Sequence, residues 1–221
     1  MAAMDVSGFS DETLAFLTGL KANNSRDWFD ANRKTYEAAV KAPAKAFSDI
    51  MAGELERLTG TAQKPKIFRI NRDIRFSKDK SPYNAHIHIS WTPVGGGQGA
   101  PSFMFGVSTE YCTVGCGTFE FPKSMLERYR KTIAGARGKE LGTMIDGLVA
   151  DGYRLSEPAL KRVPAGFPAD HPHAALSLHK GLAVWRDFDG PHSATDPGLM
   201  QDCLGHFERL LPFWRFLSTP G

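Results

Sequence analysis

Residues 67–92 read IFRINRDIRFSKDKSPYNAHIHISWT, and this stretch decides the fold. Upstream of it, apolar residues recur at helical spacing, whereas from Lys66 onward they alternate with polar residues. A period of two is typical of a strand with one buried face. The alternation covers two runs, about 67–76 and 85–92, with a turn-rich stretch between them. We therefore expect the two runs to pair as antiparallel strands.

Helical patterns flank this predicted sheet on both sides. Three helices are predicted before it, starting at Ser10, Ser25 and Pro43, and Gly60 is placed to end the third. Helices followed by strands and then by helices indicate an α+β fold rather than alternating α/β. The remaining predicted elements are strands at 103–107 and 111–116, helices after Pro122 and over 141–149, a strand within 178–188 and a helix over 197–217.

The chain is predicted to be a single α+β domain, residues 1–221. Its mostly antiparallel sheet, at about residues 66–118, should pack against the N-terminal and C-terminal helices. A chain of 221 residues with 42% hydrophobic side chains is large enough for a substantial core. Linkers rich in Pro, Gly and Ser commonly separate domains, and none divides this sequence.

Three features of the sequence predict a cytoplasmic protein with no membrane partner. Met1–Ser10 lacks the basic and apolar regions of a signal peptide. The chain has no run of about 18 apolar residues, the length that spans a bilayer. Its three cysteines are too few and too irregularly spaced for a disulfide framework, so we expect reduced thiols.

The net charge of +3 is concentrated in one short segment, Arg69–Tyr83. This segment holds five of the 27 basic residues and two of the 24 acidic ones, so the rest of the chain is balanced. A compact basic surplus suits a single anionic group better than an extended polymer. Nucleic acid is therefore the weaker of the two candidate partners, and a small ligand bearing a phosphate or carboxylate is the stronger.

Antiparallel pairing would place the polar faces of the two runs on the same side of the sheet. Arginine can grip a phosphate or carboxylate with two parallel hydrogen bonds, and lysine adds a point charge. Asp73 is a candidate acid or base if an arginine does not wholly occupy it, and Tyr83 is a candidate hydrogen-bond donor, although no familiar hydrolase motif identifies an enzyme class. The predicted ligand-binding residues are Arg69, Arg72, Arg75, Lys80, His86 and His88.

Arg72 does not fit the alternation of the first run. In a continuous strand it would lie on the apolar face, between Ile70 and Ile74. A buried guanidinium needs a carboxylate or several carbonyl partners. Either Arg72 is an internal ion-pair strut, or a bulge turns it toward the polar face, and bulges are frequent beside functional sites. We favour the bulge, while the strut would make the charged segment a structural network rather than a binding site.

His86 and His88 could also bind a metal, because residues two apart in a strand share a face. The sequence supplies no third ligand at a fixed position, and the neighbouring arginines would repel a cation. We therefore predict no metal site. The sequence identifies no cofactor and no oligomeric state.

The run from Arg69 to Tyr83 resembles the signature of a bacterial and fungal family known only as domain of unknown function 2461. The matching pattern is Arg, two residues, Arg-Asp, one residue, Arg-Phe, three residues, Asp-Lys, two residues and Tyr. The resemblance extends to the stretches at 23–29 and 160–167. Family members often carry Lys after the Tyr, where this chain has Asn84. The resemblance implies a shared α+β fold and a shared site, and it brings no known activity, substrate or catalytic residue.

Overall fold

The fold is built on a six-stranded antiparallel sheet. The structure is a computed structural model that describes residues 8–219, so most of Met1–Ser10, where we expect no signal peptide, lies outside the described residues. The strands follow the order β1-β2-β3-β4-β6-β5 across the sheet. Their bounds are Gln63–Ile67 (β1), His86–Pro93 (β2), Ser102–Ser108 (β3), Cys112–Thr118 (β4), Arg154–Leu155 (β5) and Leu182–Asp187 (β6).

Helices precede and follow the main run of strands, which confirms the predicted α+β class. Within residues 8–219, none of these helices is long and apolar enough to cross a bilayer. They are Asp11–Ala22 (α1), Arg26–Ala31 (α2), Arg33–Thr35 (α3), Ala42–Thr59 (α4), Lys123–Ala134 (α5), Ala136–Ala150 (α6) and Leu199–Ser218 (α7), with a π-helical segment at Tyr36–Lys41 and 3₁₀ segments at Ala174–Leu178 and Pro191–Thr195.

Local chemistry explains where the N-terminal helices start and stop. The Ser10 side chain accepts a hydrogen bond from the Thr13 amide and caps α1, as the sequence predicts. The Thr13 hydroxyl in turn donates to the Ala39 carbonyl at 2.6 Å, which fixes α1 against the π-helical segment. Gly60 adopts a left-handed conformation, with φ of 74°, and ends α4.

Contacts within the chain group into two compact units, and the prediction of a single domain stays a prediction. The first unit comprises residues 8–91, 104–114 and 187–206. Three phenylalanine rings form the centre of its core. Phe9 stacks on Phe105 with 5.6 Å between ring centroids, and Phe47 lies 4.8 Å from Phe105. Trp91 is fully buried and donates from Nε1 to the Ser48 carbonyl of α4 at 2.9 Å.

The second unit comprises residues 92–103, 115–186 and 207–219. In its core, the Phe103 ring lies 5.1 Å from that of Phe207 and stacks on Trp214. Gly117 marks a close approach of β4 to β6: with φ of 145°, a Cβ there would lie 2.1 Å from the Leu182 carbonyl oxygen. Only glycine fits such a position without displacing backbone.

The predicted strand over 67–76 is wrong beyond Ile67, where β1 ends. Residues 68–85 form an irregular loop whose one β-bridge among the described residues pairs Asn71 with Tyr83. The Asp73 and Asp79 carboxylates accept hydrogen bonds from the amides of Arg75 and Ser81. Short polar side chains that bind nearby amides in this way compete with a strand ladder. The bulge that we expected at Arg72 is therefore also absent.

Candidate functional site

The loop 68–85, which we call the basic loop, is held in place by its own charged side chains. Arg72 donates from Nη1 to Asp79 Oδ2 at 2.5 Å and to the Ser81 carbonyl at 3.0 Å. The Arg72 side chain is 25% exposed and its Asp79 partner is 61% exposed. The predicted pairing of Arg72 with an acid is thus present, but it lies in a loop and not inside the sheet.

Two further basic residues of the loop are also engaged. Arg75 grips Asp73 with two hydrogen bonds, from Nε to Oδ1 at 2.9 Å and from Nη2 to Oδ2 at 2.6 Å. The bond from Arg75 lowers the pKa of the Asp73 carboxyl. Lys80 donates to the Ile74 carbonyl at 3.1 Å. Arg75 and Lys80, both predicted anion contacts, instead fasten the loop to itself.

Asp79 is the most strongly perturbed acid of the loop. Its carboxylate accepts hydrogen bonds from the Ser81 hydroxyl at 2.7 Å and from the Ser81 amide at 2.9 Å. These bonds, followed by the bond from Arg72, lower the pKa of Asp79 to about 2. The group stays ionised under all ordinary conditions, so its role is to anchor the loop.

A cleft of about 360 Å³, which we call the small cleft, brings together most of the predicted site. It collects Arg69, Arg72 and Asp73 from the basic loop and both histidines from β2. Of the six predicted binding residues, four line this cleft, and the exceptions are Arg75 and Lys80. The full lining is Phe68, Arg69, Asn71, Arg72, Asp73, Asn84, His86 and His88.

Arg69 differs from the other arginines of the small cleft. Its side chain is exposed, and among residues 8–219 no salt bridge or hydrogen bond occupies its guanidinium. It lies near enough to Asp73 for its charge to contribute, after the Arg75 bond, to the lowered pKa of that carboxyl. The side-chain amide of Asn84 donates to the Arg69 carbonyl oxygen at 3.4 Å, so the Arg69 backbone is held in place while its guanidinium is not. Arg69 is therefore the available cation of the cleft.

The two histidines form one side of the small cleft as a stacked pair. Their ring centroids are 3.9 Å apart, and His88 Nε2 lies 2.7 Å from the Tyr111 hydroxyl. Burial lowers the pKa of His88 to about 4, with a smaller contribution from the charge of His86. Burial, and then the charge of Arg72, also lowers the pKa of His86. Both rings are therefore neutral near pH 7 and can donate or accept a hydrogen bond.

Tyr83, the predicted hydrogen-bond donor, is a buried residue that does not line the small cleft. Its ring stacks on Phe29 of α2 with centroids 4.3 Å apart. The Asn24 side chain accepts from the Tyr83 amide and donates to the Tyr83 carbonyl, both at 3.0 Å. This arrangement fixes the end of the basic loop against the N-terminal helices.

A second, larger cleft of about 560 Å³ shares three residues with the small one: Phe68, Arg69 and Asn71. Its other walls come mainly from α2, α3, the π-helical segment, α4 and β1, and include Tyr36 and Ser48. Sequence reasoning did not identify this large cleft. The one local signal, a π-helical segment, is a feature often found at functional sites, and it is not visible in the pattern of apolar residues.

No group of three or more His, Cys, Asp or Glu side chains within residues 8–219 is arranged to hold a metal. The neutral histidines and the amide and guanidinium groups of the small cleft instead offer hydrogen-bond donors.

Comparison with known proteins yields one family. The model of a family described as "Conserved hypothetical protein (DUF2461)" matches residues 12–216. No curated protein matches the chain at a significant level.

Proposed function

We propose that this chain, which belongs to the DUF2461 family of conserved hypothetical proteins, binds a small anionic ligand in the small cleft. The observation that carries the proposal is Arg69, an exposed arginine whose guanidinium forms no salt bridge or hydrogen bond among the described residues, in a cleft that also holds two neutral imidazoles. The ligand is one that bears a phosphate or a carboxylate.

The arginines of the basic loop have two different roles, and this difference supports the proposal. Arg72 and Arg75 are paired with Asp79 and Asp73, so the loop carries its own counter-charges. Arg69 is then free to form the two parallel hydrogen bonds that a phosphate or carboxylate accepts. The imidazole of His86, whose pKa lies below its ordinary value, contributes a neutral donor beside it. Asp73 lines the same cleft, but Arg75 binds both of its carboxylate oxygens and lowers its pKa, so the condition for a role as acid or base is not met.

Isothermal titration with inorganic phosphate and with acetate tests the proposal. We expect saturable binding of at least one of the two anions by the wild type, and its loss in Arg69→Ala. The matched control is Arg162→Ala, which removes an exposed arginine that lines neither cleft. Equal affinities in Arg69→Ala and the control, or no binding of either anion by the wild type, would overturn the proposal.

Nucleic-acid binding is a second candidate, and one observation favours it. Phe76, at the tip of the basic loop, is 95% exposed, and the Arg75 guanidinium lies 5.9 Å from its ring centroid. Exposed aromatic rings beside cations stack on bases of single strands. Tyr83, the other aromatic residue of the charged segment Arg69–Tyr83, is buried and contributes nothing to such a surface. Retention on single-stranded DNA that falls steeply with salt and is lost in Phe76→Ala is the result this candidate requires.

We also propose a cytoplasmic location and a bacterial source for the chain. The first is supported by three buried cysteines that are all free thiols. The second rests on the resemblance of Arg69–Tyr83 to the signature of a bacterial and fungal family. Fractionation of cells expressing a tagged full-length protein tests the location, and recovery in an exported fraction would overturn it.

A further inference from the structure

We infer that the ligand of the small cleft carries an aromatic ring beside its phosphate or carboxylate, and that this ring lies in the large cleft. This inference rests on the proposed function, because it takes Arg69 as the contact for the anion. Arg69 and Phe68 line both clefts, so a group bound at Arg69 has the large cleft directly beside it.

The charges of the large cleft are already paired, which leaves it suited to an uncharged group. Lys41 pairs with Glu37 at 2.8 Å, and Lys45 pairs with Asp49 at 2.5 Å. Arg33 pairs with Asp30, also at 2.5 Å. Among the described residues that line this cleft, Arg69 is thus the cation without a carboxylate partner. In this arrangement Arg69 binds the anion at the border of the large cleft, and the rest of the ligand contacts walls whose charged side chains are already paired.

Apolar side chains of the large cleft are left exposed where the two clefts meet. Ile67, the last residue of β1, is 39% exposed, and the next residue, Phe68, is 43% exposed. Phe29 and Tyr36 also line the large cleft, and the recorded neighbours of the Phe68 ring are Lys66 Nζ, 4.6 Å from its centroid, and the His88 ring, 6.4 Å away. Aromatic side chains that line a cleft can pack on a ligand ring in offset or edge-to-face geometry. Large hydrophobic side chains that stay exposed inside a cleft commonly mark a binding surface.

Ser48 of α4 supplies an independent sign that the large cleft is built to hold a ligand. The residue is 1% exposed and lines the cleft, and within residues 8–219 its hydroxyl has no hydrogen-bond partner. Trp91 uses the Ser48 carbonyl, not the hydroxyl. Buried hydroxyls are normally satisfied, so a polar atom of a ligand or an ordered water completes this one.

The volumes of the two clefts agree with this class of ligand. Sites for small organic molecules enclose about 300–1,000 Å³. The small cleft of about 360 Å³ alone accommodates a phosphate or carboxylate with its hydration, and the large cleft of about 560 Å³ accommodates a one-ring or two-ring group. A free inorganic anion would leave the large cleft unused.

Paired probes that differ only by the ring test the inference: methyl phosphate against phenyl phosphate, and acetate against benzoate. Removing the apolar area of one ring from water favours the ring-bearing probe by about 20-fold in affinity. We expect this advantage in the wild type, in whichever pair carries the anion that the protein prefers. Phe68→Ala should reduce this ratio of affinities at least fivefold, and the ratio is the readout because Phe68 lines both clefts. Arg69→Ala should abolish binding of both members of the pair.

The matched control for the aromatic substitution is Phe119→Ala, which removes a phenylalanine that is 69% exposed and lies outside both clefts. Equal affinities for the two members of a pair, with binding still dependent on Arg69, would overturn the inference and leave the proposed function standing. A ring advantage that Phe68→Ala does not diminish would also overturn it. Absence of binding by every probe would overturn the proposed function itself.

Discussion

His88 should make the protein sensitive to mild acid. The folded chain holds its pKa at about 4, against an ordinary value of 6.5, because the ring is half-buried beside His86 and Tyr111. A lowered pKa means that the unfolded chain binds the proton more readily between pH 4 and pH 6.5. Stability is therefore full above pH 6.5 and falls as the pH drops through that interval. The group opposes folding in acid and has no such effect at neutral pH.

The magnitude follows from the two pKa values. At pH 5, a shift from 6.5 to about 4 corresponds to about 2 kcal/mol lost from the free energy of unfolding relative to pH 7. Because the ring is only partly buried, solvent screening reduces this to about 1 kcal/mol. The carboxyl groups whose pKa is lowered, such as Asp79, lose their contribution only at still lower pH. The interval from pH 7 to pH 5 therefore isolates the buried histidines.

Urea unfolding at pH 7 and pH 5 measures the effect, and His88→Gln is the informative variant. Glutamine does not titrate and can still hydrogen-bond the Tyr111 hydroxyl, so the variant should lose about 1 kcal/mol less than the wild type on acidification. His192→Gln removes an exposed histidine outside both clefts and serves as the control. If His88→Gln and His192→Gln lose the same free energy of unfolding between pH 7 and pH 5, the reasoning is refuted.

Three further predictions concern the basic loop and its surroundings. Arg72→Ala should lower the free energy of unfolding, measured in urea, by about 1–2 kcal/mol, because the Ser81 carbonyl loses its donor. Arg75→Ala breaks an exposed ion pair and should leave the midpoint of urea unfolding unchanged. Tyr83→Ala should cost about 3–4 kcal/mol through loss of the stack on Phe29, and Tyr83→Phe less than about 1 kcal/mol. The phosphate affinity of the wild type relative to that of His86→Gln should rise as the pH falls below 6.5 in isothermal titration, since a bound anion favours protonated His86, and the ratio cancels the titration of phosphate itself.

The regular elements could be predicted because their signals are local. Ser10 caps α1 and Gly60 ends α4, and each acts through its own backbone neighbourhood. The alternation in β2 puts Ile87, Ile89 and Trp91 in the core, as the pattern of apolar residues predicts. The late strand within 178–188 is present as Leu182–Asp187. Where side-chain periodicity and backbone preference agree, the sequence is sufficient.

The basic loop shows why periodicity alone could not predict the rest. Alternating apolar and charged residues at 67–76 match a strand, but Asp73 and Asp79 bind nearby amides and draw the backbone away from a ladder. That competition depends on which acid meets which amide, which spacing does not reveal. The large cleft was missed for a different reason. Its walls, including Tyr36, Ser48 and Phe68, come from separate elements, and only the folded chain brings them together.

The two explanations offered for the charged signature, a structural network and a binding site, apply to different residues of it. Arg72, Arg75 and Lys80 bind Asp79, Asp73 and the Ile74 carbonyl. These side-chain links add to the few backbone hydrogen bonds that cross the loop at its Asn71–Tyr83 bridge, and together they keep the loop in one conformation. The same links hold Arg69 at the border of the two clefts without occupying its guanidinium. A network that consumed every cation would leave nothing for a ligand, and one that consumed none would leave the loop without these links. Variants of Arg72 should therefore change stability first, and variants of Arg69 should change affinity alone.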